Sequence, residues 1–180
     1  GAVGFVAAMG ELKPQLAELR LRDATVVVAS SSGGTQAGMV VGADLYDLPV
    51  RVMGIGIDKG EAGDAPYEAR LADLANRIAA RLGMNPDYTA DRFDVRTGYL
   101  GGGYGVVGDP EREAIRLLAR TEGVLLDPVY TGRAMAGLLD LIRTGRFARR
   151  ESVLFWHTGG APALFGYASD LRASAGANEL

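Results

Sequence analysis

The sequence predicts an α/β fold: a doubly wound, mostly parallel open sheet with helices on both faces. Three observations lead to this fold class. Short apolar runs such as 24–29 are continuous and β-branched, which is typical of strands buried on both faces. Longer amphipathic stretches such as 65–82 carry their leucines at helical spacing. The two kinds of segment alternate along the chain, and this alternation predicts parallel strands joined by right-handed crossovers.

The individual elements follow from the same patterns. Strands are predicted at 24–29, 50–57, 124–126 and 153–156, and helices at 1–19, 35–47, 65–82, 111–121, 131–143 and after Pro162. Residues 85–108 are rich in glycine and turn residues, so they are predicted as irregular. We expect residues 1–172 to form one domain and residues 173–180 to be a frayed tail.

Composition excludes several function classes. The chain has 180 residues and a net charge of −3, which provides no basic field, so we expect no nucleic-acid partner. No apolar run approaches the ~20 residues of a membrane span and no leader is recognisable, so we expect no membrane contact and a cytoplasmic location. The absence of cysteine excludes disulfides and thiolate metal sites. The single histidine, His157, excludes a multi-histidine metal site, so no metal is expected.

Three polar turns follow predicted strands and lead into predicted helices. The first contains Ser31, Ser32, Gly33, Gly34 and Thr35, the second Tyr130 and Thr131, and the third Thr158 and Gly159. In an open parallel sheet, ligands bind outside the carboxyl ends of the strands, so we expect the three turns to converge on one crevice. The first turn is the best phosphate cradle, because its glycines admit an anion close to the backbone and a helix N-terminus follows.

The segments SSGGTQAG (31–38), LLDPVYTG (125–132) and HTGGAPALFG (157–166) resemble the family of D-cysteine desulfhydrase and 1-aminocyclopropane-1-carboxylate deaminase. These enzymes use pyridoxal 5'-phosphate on the fold of the tryptophan synthase β subunit. The resemblance covers about residues 1–171, with the segments in the family's order. It implies that residues 1–172 are the C-terminal part of a large cofactor-binding domain in an enzyme of about twice this length, which we expect to be a homodimer.

The resemblance also implies roles for the site residues. Ser31 to Thr35 would hold the cofactor phosphate, Thr131 and Thr158, with Gly159 beside it, would flank the pyridine nitrogen, and Tyr104 and Tyr130 would face a small amino-acid substrate. The deaminases tend to carry glutamate where this chain has Thr131. A neutral group there favours the sulfur lyase, so the leading interpretation is β-elimination from D-cysteine to pyruvate, sulfide and ammonia.

Each of these residues also has a purely structural interpretation. The glycine turn can be an ordinary strand-to-helix connection, Tyr130 a packing residue, Thr158 a turn cap and Tyr104 a loop anchor. We interpret His157 as a hydrogen-bonded structural residue. The Gly54-x-Gly56 segment has the wrong spacing for a dinucleotide fingerprint, and we reject that function.

The lysines are the main departure from the family pattern. Only Lys13 and Lys59 occur, against seventeen arginines, and neither has the context of the family's Schiff-base lysine, which lies in an N-terminal part that this sequence does not contain. We therefore expect a fragment that is inactive in isolation. The alternatives left open are an L-cysteate sulfo-lyase, a 1-aminocyclopropane-1-carboxylate deaminase and a non-catalytic domain that binds a phosphate ligand.

Overall fold

The computed structural model describes residues 1–57 and 66–172, and within them it confirms the predicted fold class. Four parallel strands form one open sheet in the order β3-β2-β1-β4. The strands are β1 (Ala24–Ser30), β2 (Val50–Gly56), β3 (Asp94–Arg96) and β4 (Val153–Phe155). Because all four run in the same direction, their carboxyl ends share one edge, which is the edge where the predicted turns lie.

The helices lie on both faces of this sheet. They are α1 (Ala2–Glu18), α2 (Gly34–Leu45), α3 (Tyr67–Arg81), α4 (Asp109–Thr121), α5 (Thr131–Arg143), α6 (Ala163–Gly166) and α7 (Ala168–Arg172), and a 3-10 turn spans Ala90–Arg92. None of the helices in the described ranges has the length and apolar character that a membrane crossing requires.

Two apolar cores hold the helices to the sheet, one on each face. Val26 and Val28 of β1 point into the core that α1, α2 and α3 complete, whereas Val27 points into the core of α4 and α5. This alternation follows from the two-residue period of a strand. Because Val26, Val27 and Val28 are all apolar, β1 is buried on both of its faces, as its sequence predicts.

Two sequence predictions about strands are wrong. Residues 124–126, predicted as a strand, form no strand in the structure, and the carbonyl of Leu125 accepts a hydrogen bond from the His157 side chain instead. Conversely, β3 lies in the stretch predicted as irregular and pairs with β2 through Met53, Gly54 and Ile55. Both segments are only three residues long, so pairing with a neighbour decides the outcome more than local preference does.

Candidate active site

The glycine turn connects β1 to α2 at the carboxyl edge of the sheet. Gly33 is the N-cap of α2 with φ of +84°, a conformation that favours glycine. No side chain caps this helix start, and its first turn contains no acidic residue. Ser32 is exposed and Thr35 is half-buried, so their hydroxyls accompany the leading N–H groups of α2. Such a helix start is suited to binding an anion.

A buried hydrogen-bond network supports the turn from below. The Ser30 hydroxyl donates to Gln36 Oε1 at 2.7 Å, and Gln36 Nε2 donates to the carbonyl of Asp94 in β3 at 2.9 Å. The Tyr67 hydroxyl, from the first turn of α3, lies 2.7 Å from the Ser31 carbonyl and donates to it. Gln36 fits only because Gly54 has no side chain: a Cβ at that position would lie 2.2 Å from Gln36 Oε1.

Asp127 shapes the second turn, which leads into α5. Its side chain is buried, with an exposed fraction of 1%, and its carboxylate accepts from the backbone N–H groups of Val129, Tyr130 and Thr131 at 2.6 to 2.8 Å. The Thr131 hydroxyl donates to Asp127 Oδ1 at 2.7 Å and accepts from the Asp127 N–H at 2.8 Å. Asp127 therefore satisfies the N–H groups that a helix start leaves unpaired.

The third turn packs directly on the second. His157 Nε2 lies 2.9 Å from the Leu125 carbonyl, and the Gly159 N–H donates to His157 Nδ1 at 2.9 Å. The ring is thus hydrogen-bonded through both of its nitrogens, which supports the interpretation of His157 as a structural residue. A Cβ on Gly160 would lie 2.7 Å from the Asp127 Cβ, so the two turns are in close contact. Thr158 and Gly159 are exposed on this surface.

Tyr104 and Tyr130 meet although 26 residues separate them. Their hydroxyls are hydrogen-bonded, and their rings are T-shaped with centroids 6.0 Å apart. Both side chains remain open to solvent, with exposed fractions of 53% and 39%. The structure therefore brings the two tyrosines predicted to be catalytic together as one accessible phenol pair, a group that can hold or pass a proton.

Two cavities lie near these elements. One of about 440 Å³ includes Ser32 of the glycine turn and is otherwise lined by α3, with Tyr67 and Arg70 among its walls. Another of about 430 Å³ lies between α4, α5 and the glycine-rich loop at 98–108, and none of the predicted site residues lines it. The glycine turn and the Thr158 turn follow neighbouring parallel strands, β1 and β4, at one edge of the sheet. A crevice shared by all three turns stays a prediction, and we assign the second cavity no part in it.

The structure places Lys13 away from the glycine turn. Lys13 donates to the carbonyl of Tyr46, the C-cap of α2, at 2.7 Å. Because α2 has 12 residues, that end lies about 18 Å from the glycine turn. Lys59 falls outside the described residues. Within the described ranges, no group of three His, Asp or Glu side chains is arranged to hold a metal ion.

The sequence missed several residues that organise the site. Tyr67, Gln36, Glu111 and Arg133 are buried or half-buried and hydrogen-bonded, but each finds its partner through the tertiary fold. Asp127 did carry a local signal, since an aspartate shortly before a helix is a typical cap. Of the predicted residues, Gly34 and Thr35 begin α2, whereas Ser31 to Gly33, Thr158, Gly159, Tyr104 and Tyr130 lie on turns or loops.

A family model described as "Pyridoxal-phosphate dependent enzyme" matches residues 2–159. Among curated proteins, a D-cysteine desulfhydrase of Salmonella paratyphi C is 45% identical over 167 residues, which are 93% of this chain and 49% of that protein. The chain thus spans about half the length of the curated relatives it matches. It belongs to the pyridoxal-phosphate dependent enzyme family.

Two solved structures are similar to this chain. The structure of an ACC deaminase homologue has a TM-score of 0.82 at 33% identity, and the match covers 96% of this chain and 50% of that one. The processed form of threonine deaminase isoform 2 from Solanum lycopersicum has a TM-score of 0.54 at 14% identity, covering 97% of this chain and 49% of that one. This second likeness concerns the fold alone.

Proposed function

We propose that this chain is the cofactor-binding part of a pyridoxal-phosphate dependent lyase that removes the β-substituent of a small sulfur amino acid, with D-cysteine as the favoured substrate. The proposal is supported by what lies at the carboxyl edge of the sheet: an uncapped helix start after β1, an exposed threonine turn after the neighbouring β4 and a solvent-accessible tyrosine pair. The 45% identity to a D-cysteine desulfhydrase supports the choice of reaction.

The cofactor phosphate is assigned to the turn from Ser31 to Thr35. Its helix start has no acidic residue and no side-chain cap, so its positive end is available to an anion. A Cβ on Gly34 would meet only the Cβ of Ala2, at 3.8 Å, so the space above this glycine is open. The serine and threonine hydroxyls add donors of the kind that phosphate oxygens require. The residues present therefore fit the phosphate of the cofactor.

The remaining contacts of the cofactor ring are assigned to the other turns. Thr158, exposed beside Gly159, is proposed to face the pyridine nitrogen, because its turn is fixed from behind by His157 and Asp127. Thr131 stays a proposed neighbour of the same nitrogen, although its hydroxyl is engaged with Asp127 on both its donor and its acceptor side. We therefore rank Thr158 above Thr131 for this role.

When bound, pyridoxal phosphate withdraws electrons from the α-carbon of an amino acid. The chain's own residues supply anchoring and proton handling around it. Tyr104 and Tyr130 present two hydrogen-bonded phenol oxygens to solvent, so a proton can pass from one phenol to the other. The net reaction consumes D-cysteine and water and yields pyruvate, ammonia and hydrogen sulfide.

A 1-aminocyclopropane-1-carboxylate deaminase is the second candidate. The 33% identity to a solved ACC deaminase homologue favours it, whereas Thr131 in the position where those enzymes tend to carry glutamate disfavours it. An L-cysteate sulfo-lyase and a non-catalytic phosphate-binding domain are the other outcomes that the test below can return.

The test is a substrate comparison with the native protein supplied with pyridoxal phosphate. We expect sulfide and pyruvate in equal amounts from D-cysteine and little 2-oxobutyrate from 1-aminocyclopropane-1-carboxylate. Tyr130→Phe should lower turnover of D-cysteine, and Tyr46→Phe, at the far end of α2, should not. Sulfite from L-cysteate or 2-oxobutyrate as the main product would replace the proposal with the corresponding alternative, and cofactor binding without turnover of any of the three would favour the non-catalytic domain.

Three further assignments complete the proposal: residues 1–172 as one cofactor-binding domain, a homodimeric full-length enzyme and a cytoplasmic location. The two cores that share the strand β1 support the first assignment, since neither can form without it. Light scattering of the native protein tests the dimer, and cell fractionation tests the location.

A further inference from the structure

Arg133 is a buried cation on α5, one turn after Tyr130. Its side chain has an exposed fraction of 1%, and its Nε donates to Glu111 Oε1 of α4 at 2.8 Å. Burying such a pair is unfavourable unless other hydrogen bonds satisfy both groups. The pair is not needed merely to join the two helices, because Ala114, Ile115 and Ala134 already share one apolar core.

The remaining polar side-chain atoms of Arg133 and Glu111 all form hydrogen bonds with the backbone of one loop, residues 103–108. Arg133 Nη1 donates to the Gly103 carbonyl at 2.9 Å, and Nη2 donates to the Val106 carbonyl at 2.5 Å. The second carboxylate oxygen of Glu111 accepts from the Gly108 N–H at 2.8 Å. The loop is thus held at three backbone positions by two side chains that face away from solvent.

Tyr104 is the residue between these anchors. Gly103 and Gly105 on either side of it have φ of +133° and +74°. Glycine is the residue with the greatest backbone freedom, so this part of the loop is rigid only where it is anchored. Its phenol nevertheless meets that of Tyr130. Tyr130 is fixed separately, because its N–H is bound to Asp127 at the start of α5. The start of α5 therefore positions Tyr130 directly and Tyr104 through Arg133.

We propose that Arg133, paired with Glu111, is the positioning residue that holds Tyr104 against Tyr130. Its importance for catalysis rests on the function proposed above, whereas the positioning itself does not. The task requires arginine: a planar fork reaches Glu111, Gly103 and Val106 at once, and the single ammonium of lysine can keep the ion pair but cannot span all three.

The experiment uses native protein labelled with 3-fluorotyrosine and observed by fluorine NMR. The signals of Tyr104 and Tyr130 are assigned with the Tyr104→Phe and Tyr130→Phe variants. We expect Arg133→Lys and Arg133→Met to move the Tyr104 signal toward that of free fluorotyrosine, while the signals of Tyr46 and Tyr88, on the opposite face of the sheet, stay in place. The matched control is Arg143→Met, because Arg143 also links α5 to α4, but its hydrogen bonds go to Glu113 and not to the backbone of the loop.

A Tyr104 signal that stays in place in folded Arg133→Lys and Arg133→Met would overturn the proposal, as would an equal shift in Arg143→Met. Where Arg133→Met fails to fold, Arg133→Lys decides. The unmodified protein offers an independent check: the Arg133 Nη hydrogens should exchange with water clearly more slowly than those of Arg143, and equally fast exchange contradicts the assigned bonds. Cofactor binding, followed by visible absorbance in the same samples, tests the proposed function separately, since its absence leaves the NMR result on Arg133 standing.

Discussion

Asp127 and Thr131 are joined by three hydrogen bonds that close on each other. The Asp127 carboxylate accepts from the Thr131 N–H at 2.6 Å and from the Thr131 hydroxyl at 2.7 Å, and that hydroxyl accepts from the Asp127 N–H at 2.8 Å. A threonine predicted to sit beside a cofactor thus has a defined task in starting α5. The predicted role beside the pyridine nitrogen stays a prediction.

We expect Thr131→Val to lower the free energy of unfolding by about 1–3 kcal/mol, because it leaves the buried Asp127 N–H without an acceptor. Thr131→Ser keeps the hydroxyl and should remain close to the unmodified protein. Urea denaturation followed by circular dichroism measures both variants. Equal stability of the valine and serine variants would mean that the hydroxyl is not needed for the cap.

Gly34 offers a clean test of the phosphate assignment. Its φ is not in the left-handed region and the space around it is open, so a side chain fits without strain. We expect Gly34→Asp to weaken pyridoxal phosphate binding about ten- to hundredfold, since its charge repels the phosphate, whereas the similarly sized Gly34→Asn should have a much smaller effect. Thr35→Ala should weaken binding by the loss of one donor. Cofactor titration by absorbance provides the affinities, and equal affinities for the aspartate and asparagine variants would contradict the assignment.

Tyr99 should make stability depend on pH in the alkaline range. Burial, together with the hydrogen bond that its hydroxyl donates to Asp140, raises the pKa of Tyr99 from 10.0 to about 12. The folded protein therefore keeps a proton that the unfolded chain loses first. This contribution to stability is complete below pH 10 and is lost as pH rises toward 12. Denaturation at several pH values should show a smaller alkaline decline in Tyr99→Phe than in the unmodified protein, and identical slopes would refute this.

The 180-residue chain taken alone should not release sulfide from D-cysteine. This chemistry uses a lysine amine beside the cofactor, and Lys13 is instead bound to Tyr46 at the far end of α2. Borohydride treatment in the presence of pyridoxal phosphate, followed by peptide mass mapping, should find no specific lysine adduct. A single modified lysine together with sulfide release would show that the chain suffices for catalysis.

The long elements and the fold class were predictable from the sequence, because buried strands and helices have continuous or periodic apolar runs. Val26, Val27 and Val28 form a continuous β-branched run, which is typical of a strand buried on two faces. The three-residue segments were not predictable in this way. Val95 lies between the charged residues Asp94 and Arg96 and pairs, whereas the apolar run at 124–126 does not, since a short strand depends on its neighbour.

The site was predictable where its residues are local and unpredictable where they are not. The glycine turn and the threonine turns are visible as motifs, and the resemblance to a known family singled out Tyr104 and Tyr130. The contact between their hydroxyls could not be predicted from the sequence, because it depends on a hydrogen bond from Arg133 to Gly103, 30 residues earlier in the chain. Interactions of this range are set by how the helices pack, and no spacing in the sequence records them.

The close approach of Gln36 to Gly54 limits which amino acids these two positions can accept during evolution. Because a methyl group at position 54 would overlap the Gln36 carboxamide, the two positions cannot vary independently. A shorter residue in place of Gln36 would break the link from Ser30 to β3, and a Cβ at position 54 would still lie 2.9 Å from the Ser30 Cβ. The glutamine therefore requires the glycine. Homologous sequences that carry glutamine at position 36 should also carry glycine at position 54.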